Sequence, residues 1–269
     1  GVSRVMNNEF HNERTNFPHP EIWGSKVWHA FWMVRSANRL IHSANTKIIN
    51  NIDNFKFSGI KPSHKELEIL GKNYPTVFLH GLFGHASDWD FITQELPNSF
   101  SLPIQINESI ETFDEGIRYL YKKIKEEINS DKINLVGYSM GGRIAYHMAR
   151  MYPNNVQNLF LISSNIQGIE QKKDRDSRYL SDKKLMNGID TTEKYLEFLK
   201  KWYRQSLFSG FENTSEYISK TSRANQSDIK KNKKLIEIFS VGRQNFIDKP
   251  KSPAEQTVFI YGSKDQKYK

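Results

Sequence analysis

The 269 residues contain no cysteine. Disulfides, thiolate metal sites and a cysteine nucleophile are thereby excluded, and the absence leans toward an intracellular setting. No apolar run approaches the ~18 residues of a membrane-crossing helix. No signal or transit peptide is visible, and a first residue of Gly1 rather than Met reads as a processed, engineered or incomplete start. Acidic residues are the scarcer sign: 30 Asp and Glu stand against 39 Lys and Arg, a net charge of +9. Such a surface favours acidic ligands, anionic membranes or acidic partners. The basic residues are scattered, and short runs such as "KKNKK" read as a solvated helix face, so the charge does not argue for nucleic acid. A hydrophobic content of 37% is low, yet 17 Phe and 12 Tyr supply large surfaces for a core. The length suits one large domain or two small ones.

Residues 1–60 read as an extension. Within it, "EIWGSKVWHAFWMVRSANRLIHSANTKIINN" predicts a long helix carrying Trp23, Trp28 and Trp32. Its apolar stretch "VWHAFWMV" is flanked by Lys26, Arg35 and Arg39. Three roles stay open for it: packing on its own domain, docking to another protein, or lying in a membrane interface. "DNFKFSGI" reads as a strand. From Thr76 onward strands and helices alternate. "TVFLHG" is a strand, "SDWDFITQEL" a helix capped by Ser87, and "SLPIQIN" a strand. "ETFDEGIRYLYKKIKEEI" is an amphipathic helix with acids early and lysines late, as the helix dipole prefers. "KINLVGY" is a buried strand, "GRIAYHMARMYP" a helix stopped by Pro153, and "VQNLFLISSN" another strand. The pattern implies an α/β fold, a mostly parallel sheet with helices on both faces. Residues 166–252 break the rhythm with charged helices such as "TTEKYLEFLKKWYRQSLF", "FENTSEYISKTSRANQ" and "DIKKNKKLIEIFS", and read as a helical cap. The rhythm resumes with "QTVFIYGSKD", so the core takes 61–165 and 253–269.

The chemistry is concentrated where "INLVGY" meets "SMGGRIAYHMA". Gly137-Tyr138-Ser139-Met140-Gly141 has the G-x-S-x-G spacing between a strand and a helix. A turn that tight needs glycines beside it, and it lifts the serine to the top of the sheet above a helix N-terminus: the nucleophile elbow of an α/β-hydrolase fold. "FLHGLFGH" supplies the other loop of such a site. The N–H groups of Met140 and Leu82 are then the expected oxyanion hole. Asp265, just past the late strand, fits the triad acid. The base does not fit: His11, His19, His29, His42, His64, His80, His85 and His147 all precede Asp265. His80 reads as structural, and His147, two turns along the elbow helix, as packing. A histidine, a strand and a helix are therefore expected beyond Lys269, and an incomplete sequence is favoured over a natural stop.

These residues resemble a specific family. "VFLHGLFGHASDW", "LVGYSMGGRIAYHMA", "KWYRQSLF", "SRANQ", "FSVGRQNF" and "FIYGSKDQKY", in order from about Thr76 to Lys269, are similar to 2-succinyl-6-hydroxy-2,4-cyclohexadiene-1-carboxylate synthases. These are α/β-hydrolase-fold lyases of menaquinone and phylloquinone biosynthesis. The resemblance implies elimination of pyruvate from an enolpyruvyl cyclohexene carboxylate, with Ser139 as base and without a cofactor or metal. It implies a small substrate with three carboxylates, for which arginine's planar fork is suited. The positions it indicates are Arg143, Arg223 and Arg178, with Arg175 competing for the last, and Tyr138 and Trp202 as pocket aromatics. It also implies a cytoplasmic or plastid protein. One departure is "SSNIQGI", where the family usually carries a Glu-Gly-Gly-like loop beside the site. Two other readings remain: a serine carboxylester hydrolase, and an inactive hydrolase-fold subunit held in a larger assembly by its tryptophan-rich helix.

Overall fold

The protein is described by a computed structural model over residues 74–260, apart from positions 95, 97, 206–207, 209–210, 223–224 and 255. The expected helix at 21–50, the strand at 53–60, Arg223 and Asp265 lie outside the described residues. Among the described residues five strands form one parallel sheet: β1 (Thr76–Leu79), β2 (Ser99–Leu102), β3 (Ile133–Tyr138), β4 (Val156–Ile162) and β5 (Gln256–Ile260). Their order is β2-β1-β3-β4-β5. The central strands are short continuous apolar runs because both faces of a parallel sheet are covered. All seven residues of β4 are buried.

Alternation sorts the strand residues between two cores. Val77, Leu79, Leu135, Leu159 and Leu161 face one side, with α2 (Phe113–Glu127) and α3 (Met140–Met151) packed on them. Phe78, Val136, Phe160, Ile162 and Val258 face the other, against Trp89, Ile92 and Leu96. Both of these long helices lie on one face. On the second face, among the described residues, the cover is the short segment around α1 (Asp90–Thr93).

Two local expectations change. The stretch "SDWDFITQEL" is a 3-10 turn, Ala86–Trp89, running into α1. Ser87 sits inside that turn rather than capping it, because the Asp88 carboxylate takes the His85 N–H at 2.9 Å and starts the turn there. The strand expected over "SLPIQIN" pairs only to Leu102. Pro103 has no N–H to continue a ladder. The start of α2 is as its sequence suggests: Thr112 Oγ1 accepts from Glu115 N–H, and Glu115 accepts from Thr112 N–H at 3.0 Å.

Between β4 and β5, among the described residues, lie four α-helices: α4 (Lys172–Lys184), α5 (Thr192–Tyr203), α6 (Ser215–Ser222) and α7 (Gln226–Phe239). Their own core joins Met186, Ile189, Tyr195, Leu199, Tyr203, Phe208 and Phe211 to Phe83 from the loop after β1. The sequence did not single out α4, since "KKDRDSRYLSDKK" has no apolar stripe. Its ion pairs, Lys172–Asp176 and Arg178–Asp182, run within the helix itself, and Ser240 Oγ ties it to the rest by donating to Asp182 at 2.7 Å.

Candidate active site

Ser139 follows β3 and precedes α3, with φ +52° and ψ −109°. A left-handed φ on a non-glycine residue costs of order 1–3 kcal/mol and survives only where the surroundings enforce it. The enforcement is visible. A Cβ on Gly137 would come within 2.4 Å of the Gly141 carbonyl oxygen, and one on Gly141 within 2.2 Å of the Leu79 carbonyl oxygen. Helix α3 therefore presses directly onto β1 and β3, and the chain has room for no other turn. The result is a serine at the C-terminal edge of the sheet. Ser139 lines a cavity with Gly81, Leu82, Tyr138, Trp89, Trp202, Tyr203, Phe208 and Phe211. Met140 is the first residue of α3, so its N–H has no partner four residues back within the helix. Leu82 shares the cavity with Ser139. Those positions suit an oxyanion hole, whose donors must converge beside the nucleophile.

The loop after β1 is also strained. Gly84 N–H donates to Gly81 O at 3.0 Å, and Phe83 takes φ +59° inside that turn. Cap aromatics hold it there. Phe83 makes edge contacts with Phe198 and Trp202 at 5.0 and 4.9 Å, and its carbonyl accepts from the Tyr203 hydroxyl at 3.2 Å. A Cβ on Gly81 would lie 2.9 Å from the Tyr138 ring, so the glycine makes room for that aromatic wall.

The histidines behave as the sequence indicates. His80 is 2% exposed. Its Nδ1–H donates to Gly81 O at 2.8 Å, and its Nε2 accepts from Ile104 N–H at 3.2 Å. Burial drives its pKa down to about 4, so it is a neutral backbone brace. His147 is buried between Phe113 and Tyr146, and its Nε2 has no hydrogen-bond partner among the described residues. Burial, then the charges of Arg150 and Arg143, lower its pKa to about 3.

The arginines divide differently from the expectation. Arg143 is 7% exposed. It donates to Phe239 O at 2.6 Å and to Gln244 Oε1 at 3.3 Å. Gln244 in turn donates to Ile166 O at 2.8 Å and Asn165 O at 3.1 Å. Arg143 and Gln244 thus tie α3, the end of α7 and the "SSNIQGI" loop together. Arg178 is on the α4 surface, paired with Asp182 at 2.7 Å. Arg175 donates to Ile169 O and Glu170 O at 3.0 and 2.6 Å. None of the three lines the cavity around Ser139. The sequence reading missed Gln244 and the Asp88–Lys220 pair. Gln244 lay within the quoted "FSVGRQNF", but nothing in spacing distinguishes a buried glutamine hub. Lys220 and Asp88 both line the cavity. They form an ion pair with side chains only 10% and 13% exposed. Burial pushes the Asp88 carboxyl up, but the Lys220 charge and hydrogen bond and the His85 N–H together hold it below the usual carboxylate range.

Residues 74–268 match the family described as the α/β hydrolase fold. The chain belongs to the α/β hydrolase fold family. A Haemophilus influenzae protein provisionally named 2-succinyl-6-hydroxy-2,4-cyclohexadiene-1-carboxylate synthase is 27% identical over 207 residues, 71% of this chain and 81% of that protein. A Yersinia pestis protein of the same name is 26% identical over 71% of this chain and 72% of its own length. Among solved structures, MenH from S. aureus superposes with a TM-score of 0.52 at 24% identity, over 65% of this chain and 69% of that one, which supports the fold. The chloroplastic protein PHYLLO of Arabidopsis thaliana is 26% identical over 72% of this chain, which spans 12% of its length.

Proposed function

We propose that this α/β-hydrolase-fold chain is a lyase that eliminates pyruvate from an enolpyruvyl cyclohexene carboxylate, in menaquinone or phylloquinone biosynthesis. The observation that carries the reading is Ser139 on a strained elbow above an aromatic cavity, in a chain whose relatives bear the synthase's name. Ser139 would take a ring proton while the C–O bond to the enolpyruvyl group breaks. A new ring double bond forms, and the enol leaves to become pyruvate. A serine hydroxyl needs an imidazole to accept its proton. No described histidine fills that place: His80 and His147 are committed elsewhere, and His85 is off the Ser139 cavity, 3.9 Å from Asp228; Asp265 lies outside the described residues. Met140 and Leu82 would stabilise the oxyanion that develops on the enolpyruvyl oxygen as the C–O bond breaks, before that oxygen takes up the abstracted proton. In this reading Arg143 holds the elbow, Arg178 is spent on Asp182 away from the cavity, and Arg223 stays the arginine candidate for a substrate carboxylate. A plastid setting accords with the chloroplastic protein PHYLLO, while a cytoplasmic one, and a membrane or protein contact through residues 21–50, rest on sequence alone.

A carboxylester hydrolase is the second reading. It is favoured by a cavity lined largely with aromatic side chains and by none of the three described candidate arginines on its wall. A lactate-dehydrogenase-coupled assay of pyruvate release, run beside p-nitrophenyl ester hydrolysis, separates the two. The lyase reading expects pyruvate release that Ser139→Ala abolishes. Ester turnover without pyruvate release gives the hydrolase, and neither activity gives the inactive subunit.

A further inference from the structure

We propose that Lys220, steadied by Asp88, is the cation on the cavity wall that receives a carboxylate of the substrate. The inference rests on the anionic substrate of the proposed lyase and adds a residue that none of the motifs contains. Lys220 lies in the last turn of α6, in the cap. Asp88 lies in the 3-10 turn of the core. Their side chains meet at the edge of the cavity that Ser139 lines. The Lys220 ammonium also lies 5.9 Å from the centre of the Tyr203 ring, another cavity wall.

Two buried charges are a poor way to stabilise an apolar wall, since hydrophobic side chains of similar volume do as well or better. At a binding site the same pair has a use. An ammonium carries three N–H donors. An entering carboxylate can share it with Asp88 through a charge-assisted hydrogen bond against largely apolar walls, where such bonds are stronger than in water. Asp88 is itself fixed by the His85 N–H at 2.9 Å, so it sets where the ammonium sits. The candidate arginines among the described residues are engaged elsewhere: Arg143 with Phe239 and Gln244, Arg175 with two loop carbonyls, Arg178 with Asp182. Among the described residues lining this cavity, Lys220 is the only lysine or arginine.

Binding is tested with phthalate as the anionic probe and dimethyl phthalate as its neutral counterpart, followed by tryptophan fluorescence, since Trp89 and Trp202 line the cavity. Lys220→Met and Lys220→Gln should each weaken phthalate binding at least 10-fold and leave dimethyl phthalate within 2-fold. Lys220→Arg should restore most of the phthalate affinity. In the elimination assay the Met variant should raise KM at least 10-fold with kcat within about 3-fold. The inference is overturned if the wild-type chain does not prefer phthalate over its diester. It is overturned equally if the Met and Gln variants keep phthalate affinity, or lose both probes alike. Failure of the wild type to release pyruvate would sink the lyase reading, while the phthalate comparison would still decide Lys220.

Discussion

Ser139 shows how much of a catalytic geometry two glycines can hold. Gly137 and Gly141 bring strand and helix backbones so close that a methyl group at either would overlap a carbonyl, at 2.4 and 2.2 Å. Backbone cannot step aside as a flexible side chain can. Gly141→Ala should therefore cost about 1–3 kcal/mol or more from overpacking, a fall in Tm of roughly 2–12 °C for a domain this size. A thermal melt within 1 °C of wild type would show that the contact relaxes freely. The two buried histidines give a second prediction. Folding holds both neutral, with pKa near 4 for His80 and near 3 for His147. The unfolded chain protonates them below about 6.5. Between those limits the unfolded state binds more protons, so stability falls as pH drops, by about 1.4 kcal/mol per pH unit for each. The loss begins near pH 6.5 and levels off only below the folded pKa values. His147→Phe should remove one of these contributions. Urea unfolding should show the variant gaining about 2–3 kcal/mol on wild type between pH 7 and pH 4.5. Parallel stability curves for the two proteins would show that His147 does not titrate in this way.

At the scale of elements, α3 is the piece on which the site hangs. It touches β1, β3 and β4 on its buried side, and Arg143 fastens its first turn to Phe239 at the end of α7 and to Gln244. Arg143→Met keeps the stem and leaves the Phe239 carbonyl and the Gln244 amide short of a charged donor. Hydrogen bonds to charged groups are worth about 1.5–3 kcal/mol each. The variant should lose about 3 kcal/mol, read by urea unfolding, and Arg143→Lys should recover only part of it because one ammonium cannot reach both acceptors in the same fork. Full recovery by Lys would argue that charge alone matters there. The start of α2 is a smaller case, and its signal was already in the sequence. Thr112 and Glu115 make a reciprocal capping box, and Thr112→Ala should cost about 1 kcal/mol. By contrast α4 left no readable signal, because polar partners rather than an apolar stripe hold it.

For the whole molecule, the net charge of +9 and the placement of a cation in an apolar cavity act together. A positive surface draws anions toward the site, and salt screens that attraction over about 8–10 Å near physiological ionic strength. The value of kcat/KM for the anionic substrate should fall several-fold between 20 and 300 mM NaCl, while hydrolysis of a neutral ester should change by less than half. Equal sensitivity of the two reactions would mean that the field does not steer the substrate. Among the places where cap meets core is an aromatic junction in which Phe83 is wedged among Phe198, Trp202 and Tyr203. That junction lies beside Ser139, so the packing that joins cap to core also shapes the cavity.

The sequence alone determined the parallel α/β core, the elbow at Ser139 and the structural nature of His80 and His147. Those features are written locally. Strand periodicity, glycine spacing and the position of a histidine on a helix are fixed by residues a few places apart. The rest depended on which distant segments meet. Asp88 and Lys220 are 132 residues apart, and Arg143 and Gln244 are 101 apart. No spacing rule pairs a cap lysine with a core aspartate, nor separates an arginine that binds substrate from one that braces a helix. Both kinds look alike as charged residues in a motif. Only the folded chain, by burying Arg143 against carbonyls and carrying Lys220 to the cavity wall, decides which cation faces the ligand.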